Sequence, residues 1–141
     1  MALEQQGRHD LVEFQIQDNV RLEVYWRDDQ AGYGPAVSIY AYDQEVLRLD
    51  CFGEENDKKG KGHCHINLRQ TRARQWNYLP GCVKDHIGQA MHDMRENLNY
   101  CLQTNVDERI QQITVDSESL EPIARQVEAK MLRFMNQLGL E

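Results

Sequence analysis

Leu11-Val12-Glu13-Phe14-Gln15-Ile16-Gln17-Asp18-Asn19-Val20-Arg21-Leu22-Glu23-Val24-Tyr25-Trp26-Arg27 is the stretch that decides the fold. Apolar residues recur at every second position, as Val12, Phe14 and Ile16 before Asp18-Asn19 and as Val20, Leu22, Val24 and Trp26 after it. Between them stand Glu13, Gln15 and Gln17, then Arg21, Glu23, Tyr25 and Arg27. Side chains of an extended chain alternate between two faces, so the pattern describes two strands, each with one buried face. Asp18 and Asn19 tolerate left-handed backbone angles, which a tight hairpin turn requires.

Working outward, residues 28–35 are rich in Gly and Asp and are expected to form a loop. Val37 to Tyr42, a turn at Asp43 to Glu45, and a return through Leu47, Leu49 and Cys51 read as a second hairpin. After a polar, glycine-bounded loop at 53–62, Cys64, Ile66 and Leu68 alternate with His63, His65 and Asn67. A fifth strand is therefore expected to bury Cys64, Ile66 and Leu68 and to turn both histidines the other way.

The period then changes from 2 to 3.6. Ile87, Ala90, Met91, Met94, Leu98, Cys101 and Leu102 mark a helix over 83–103. Leu120, Ile123, Ala124, Val127, Met131, Phe134, Met135 and Leu138 mark another over 117–138, with Ser117 or Ser119 as cap, Pro122 in the first turn and Gly139 at the end. Residues 104–116 stay open, since Ile110, Ile113 and Val115 suit either a short strand or a pinned connection. The expected class is α+β: an antiparallel meander of about five strands over 11–70, followed by two amphipathic helices packed on one face, in a single domain spanning 1–141. One sheet face has to cover fifteen apolar helical positions. The last helix either packs in the same chain or pairs with its counterpart in a homodimer.

The chain has 141 residues, 40% hydrophobic and 28% charged, which is ordinary for one globular domain. No apolar run approaches the roughly 18 residues of a membrane span, and the first ten residues lack a signal-peptide core, so a cytoplasmic protein without membrane contact is expected. Cys51, Cys64, Cys82 and Cys101 form no C-x-x-C pair and read as reduced thiols.

Charge is less even. Residues 58–74 hold six of the sixteen basic residues, Lys58, Lys59, Lys61, Arg69, Arg72 and Arg74, and no acidic one. Ten basic and twenty-three acidic residues remain, so the net −7 divides into +6 there and −13 elsewhere. Such asymmetry marks a candidate anion-binding surface. Gly60 and Gly62 let backbone N–H groups approach a phosphate, and Trp76 and Tyr78 offer faces on which bases stack, the combination that single-stranded nucleic acid needs. The alternative is a solvated Lys-rich turn with the arginines paired to carboxylates of the same molecule.

His63 and His65, two apart on a strand, share a face and can converge on one ligand. Asp50, Glu54, Glu55, Asp57, His86 and His92 are possible further metal donors, but none stands at a diagnostic spacing, so no metal and no other cofactor is expected. If the pair is catalytic, the chemistry is phosphodiester cleavage: one histidine takes the proton of a ribose 2′-hydroxyl, the other donates to the leaving oxygen, and Arg69 or Lys61 stabilises the charge on phosphorus.

At these residues the chain resembles a known family. Tyr40, Asp43, Val46, Arg48 and Asp50 of the second hairpin, then Gly60-Lys61-Gly62 and His63 and His65 ahead of an amphipathic helix, are similar to the pattern of TumE-family proteins, small toxins of bacterial toxin–antitoxin pairs. The resemblance covers about residues 37–98. It implies that His63 and His65 stand at the family's histidine positions, that the protein acts on RNA or on translation, and that its partner is an antitoxin encoded beside it. Beside this stands a reading from another class, a non-catalytic binding or assembly module whose basic segment docks an acidic protein and whose last helix makes a dimer.

Overall fold

The structure, a computed structural model, describes residues 7–30, 32–53, 61–68, 70 and 73–140. Six strands, β1 (Arg8–Gln17), β2 (Val20–Asp29), β3 (Gly32–Ala41), β4 (Gln44–Asp50), β5 (His63–Ile66) and β6 (Arg74–Asn77), form one antiparallel meander in sequence order. Three helices follow: α1 (Val83–Gln103), α2 (Glu108–Gln111) and α3 (Ser117–Gln137). The α+β class is as expected, with one strand more. None of the helices is long and apolar enough to cross a membrane.

Register explains both faces of the sheet. Leu22, Ile39, Leu47 and Ile66 face one another across β2 to β5, and Val24, Val37, Leu49 and Cys64 make a parallel row. These rows are buried under the helices, α1 on β3 and β4 and α3 on β1 to β3. The intervening rows are Glu23, Ser38, Arg48, His65, Gln75 and Tyr25, Ala36, Asp50, His63, Asn77. Much of this second face is also shielded: Tyr25, Ser38 and Asp50 are fully buried, and Glu23 and His63 nearly so. Long basic side chains lie across it, with the Arg8 guanidinium 4.6 Å over the Tyr25 ring and Arg21 4.2 Å over Tyr40. A polar face of that kind needs its own bonds. Tyr25 and Ser38 hydroxyls meet at 2.6 Å, Ser38 donates to Glu45 at 2.5 Å, and Arg8 donates to Tyr40 at 2.9 Å.

Several boundaries differ from the sequence reading. Most of the loop expected at 28–35 is strand, since β2 runs to Asp29 and β3 starts at Gly32. Its glycines serve packing: a Cβ on Gly32 would stand 2.3 Å from the Phe52 ring. The fifth strand stops at Ile66, where Asn67 takes φ 51°; the Asn67 and Leu68 N–H groups still donate to the Val46 and Glu45 carbonyls at 2.9 and 3.2 Å, but Leu68, expected to be buried, is only half-buried. Residues 104–116 contain the single turn α2, capped by Asp107, whose carboxylate accepts from the Arg109 N–H at 2.9 Å. Asp116, not a serine, occupies the cap position of α3, which puts Pro122 in the second turn. Gly139, at φ 71°, ends α3 with Leu140 N–H donating to the Met135 carbonyl at 2.9 Å and Gly139 N–H to Asn136 at 3.1 Å. The α3 stripe, Leu120 through Met135, is buried against α1 and the sheet of the same chain. A second subunit is not needed to cover it.

Candidate functional site

Asp50 closes β4 and, being paired with His63 across the ladder, lies on the polar face beneath the imidazoles. Its carboxylate is fully buried and ringed by cationic groups. Arg27 Nη1 donates to Oδ1 at 3.1 Å while its Nη2 stands 2.9 Å from Asp29. On the other oxygen, Oδ2, converge His63 Nε2 at 3.0 Å, His65 Nε2 at 3.7 Å and Arg48 Nε at 3.7 Å. None of the three is aimed along a hydrogen bond, so Oδ2 and Arg48 Nε are both left without a directed partner among the described residues. His63 is oriented from behind, its Nδ1–H donating to the Lys61 carbonyl at 2.5 Å, and its ring meets that of His65 edge to face at 4.7 Å.

This geometry separates the proton affinities of the two histidines. Burial alone disfavours the charged form of each ring. For His63 the contact with the Asp50 carboxylate outweighs burial and moves its pKa above 6.5. For His65 burial and the neighbouring Arg48 charge act together and bring it down to about 4. Asp50, despite burial, is held at about 2 by His63, Arg27 and Arg48. The site therefore pairs an imidazole that is neutral at neutral pH with one held more basic than a free ring.

Above them lies an open cavity of about 420 Å³, lined by Arg27, Arg48, Lys61, the two histidines and the β6 amides Gln75 and Asn77. Asp50, His63 and His65 offer three ligand atoms within 4.8 Å of one another, and a ring whose far nitrogen donates to a carbonyl is oriented as a metal ligand would be. Spacing in the sequence did not single out this trio. Charge does not favour a bare cation, because each like-charge pair at about 4 Å costs roughly 4 kcal/mol at an effective dielectric of 20, and Arg27, Arg48 and Lys61 line the cavity, although Arg27 is shared between Asp50 and Asp29 and Arg48 between Asp50 and Glu45. An anion reverses that sign.

Of the residues the sequence singled out, His63, His65 and Lys61 come together here. Lys58, Lys59, Arg69 and Arg72 lie outside the described residues. Arg74 and Trp76 do not join: they pair with Ile66 and Cys64 and so belong to the helix-covered side. Tyr78 lines a second cavity on that side, its ring 5.4 Å from His86. Alternation along β6 is the reason, since Gln75 and Asn77 take the places beside the histidines. Arg27, Gln75 and Asn77 were not foreseen, and Arg48 and Asp50 were named only as possible contributors. Arg27 sits in a polar alternation that reads as solvent-facing, and only the pairing of β2 with β3 and β4 carries it to Asp50. Comparison with known protein families, curated proteins and solved structures found no match.

Proposed function

We propose that the cavity over Asp50 binds a phosphate ester of RNA and that the protein cleaves the phosphodiester, as a toxin-like component held in check by an acidic, antitoxin-like protein partner. One observation carries this reading: three cationic side chains and two imidazoles of opposite proton affinity face the same open cavity. In the proposed step His65 removes the proton of the ribose 2′-hydroxyl, the O2′–P bond forms as the P–O5′ bond breaks, and His63 gives the departing 5′ oxygen its Nε2 proton, which faces Asp50 in the free protein, while Nδ1–H stays on the Lys61 carbonyl. A 2′,3′-cyclic phosphate remains. Arg27, Arg48 and Lys61 hold the phosphoryl oxygens, where charge grows in the transition state. The bound phosphate also raises the proton affinity of His65, making it a better base than in the free protein.

Purified protein acting on single-stranded RNA tests this. His65→Ala is expected to lower cleavage by about a hundredfold to ten-thousandfold, while binding weakens with salt at a slope near −2 in log K for three phosphate-paired cations. Activity should rise as pH passes about 4, where His65 loses its proton, and fall as pH climbs through the His63 value above 6.5. Salt-sensitive binding without cyclic-phosphate product, or growth arrest that persists in His65→Ala, would leave a binding module rather than a ribonuclease.

A further inference from the structure

On the opposite side of the sheet from the histidines, between β5, β6 and α1, lies a larger cavity of about 760 Å³. Its floor is apolar, from Leu47, Cys64 and Ile66. Around the mouth stand Trp76, Leu79 and Tyr100, three of the five exposed large hydrophobic side chains among the described residues. Isolated exposed apolar residues need no explanation, but their gathering at one opening marks a binding surface. The volume is that of a pocket for one small ligand.

The remaining wall sets the charge of that ligand. Asp85, Gln89, Asp93 and Asn97 follow one another at four-residue intervals along α1 and so share a face. Gln89 Nε2 and Asn97 Nδ2 both donate to Asp93 Oδ1, at 3.1 and 3.2 Å, which fixes a carboxylate that is almost buried. No Lys or Arg lines the cavity among the described residues. His86 also borders it, but its Nε2 faces the Leu79 carbonyl at 2.9 Å and its Nδ1 the Phe52 carbonyl, so the ring is occupied by backbone. The Tyr78 hydroxyl is buried next to the Asp93 carboxylate, and burial together with that neighbour keeps the phenol protonated. The pocket thus combines an apolar floor, aromatic faces and two carboxylates, with the Tyr78 hydroxyl beside one of them.

We propose that this cavity binds a small amphipathic organic amine, with its ammonium group between Asp93 and the Trp76 ring and its apolar body over Leu47, Cys64 and Ile66. An ammonium gains from both the carboxylate and the aromatic face, whereas a carboxylate or phosphate ligand would meet two like charges. The site does not rest on the phosphate-ester reading, since the two cavities lie on opposite faces of the sheet and share only Asn77 of β6.

The test titrates hexylamine, cyclohexylmethylamine and 2-phenylethylamine into the full chain carrying Trp26→Phe, so that fluorescence reports Trp76 alone. Saturable binding of at least one amine is expected. The isosteric 3-phenylpropionate should bind at least about tenfold more weakly than 2-phenylethylamine, and Asp93→Asn should weaken the amine by about tenfold or more. Asp85→Asn provides a second variant if Asp93→Asn fails to fold, and it must weaken the amine too. No saturation by any of the three, equal affinity for amine and carboxylate, or unchanged binding in a folded Asp93→Asn overturns the proposal. So does binding only of an extended peptide along β6 that ignores both substitutions.

Discussion

Asp50 is the side chain on which the polar face turns. It is fully buried, yet Arg27, Arg48 and His63 hold its pKa near 2. Removing one partner from a buried charge cluster leaves the others uncompensated, so Asp50→Asn is expected to cost about 3–5 kcal/mol in urea unfolding. A loss under about 1 kcal/mol would mean that water, not Asp50, balances the guanidinium groups. The same substitution should lower the His63 pKa, read by NMR, because the contact that raises it is gone. Stability should peak near pH 6.5. Above that value the favourable protonation of His63 is lost as pH rises through its folded pKa. Below it the folded state resists protonating His65 until about pH 4, and beneath 3.8 the contribution of Asp50 is lost as pH falls toward 2. A monotonic stability profile across this range would contradict the assigned charge states.

At the scale of elements, β3 shows how a glycine-rich stretch becomes strand interior. Gly32 pairs with Asp29 at the end of β2, and its missing side chain is the space taken by the Phe52 ring. Phe52 in turn packs edge to face on His63, with ring centroids 5.8 Å apart, so the glycine supports the site at one remove. Gly32→Ala should destabilise the protein by about 1–3 kcal/mol through overpacking, measured by thermal unfolding, with broadened His63 resonances. An unchanged melting temperature would show that Phe52 swings aside freely. β6 teaches the complementary lesson: four exposed residues are too short a run to announce a strand, yet their alternation divides Gln75 and Asn77 from Trp76.

Over the whole molecule, α3 ties the layers together. Its stripe reaches α1 and three strands, and Phe134 is buried within it. Phe134→Ala should cost about 3–5 kcal/mol and lower a single cooperative transition seen by both far- and near-ultraviolet circular dichroism. Loss of α3 signal ahead of the sheet would instead make the helix a separable unit. Because Arg27, Arg48 and Lys61 line the cavity on one sheet face and Asp85 and Asp93 the cavity on the other, the two surfaces suit ligands of opposite sign.

The sequence by itself determined the hairpins, the helix bounds near 83–103 and 117–138, and the common facing of His63 with His65, because period and turn chemistry are local properties of the backbone. Tertiary structure decided the rest. Arg27, Asp50 and His63 are brought together only by the register of three ladders, which no spacing along the chain encodes. Arg74 and Trp76, close in sequence to the histidines, were carried to the other face by an unannounced sixth strand, since in a sheet one residue of register decides which side a side chain takes.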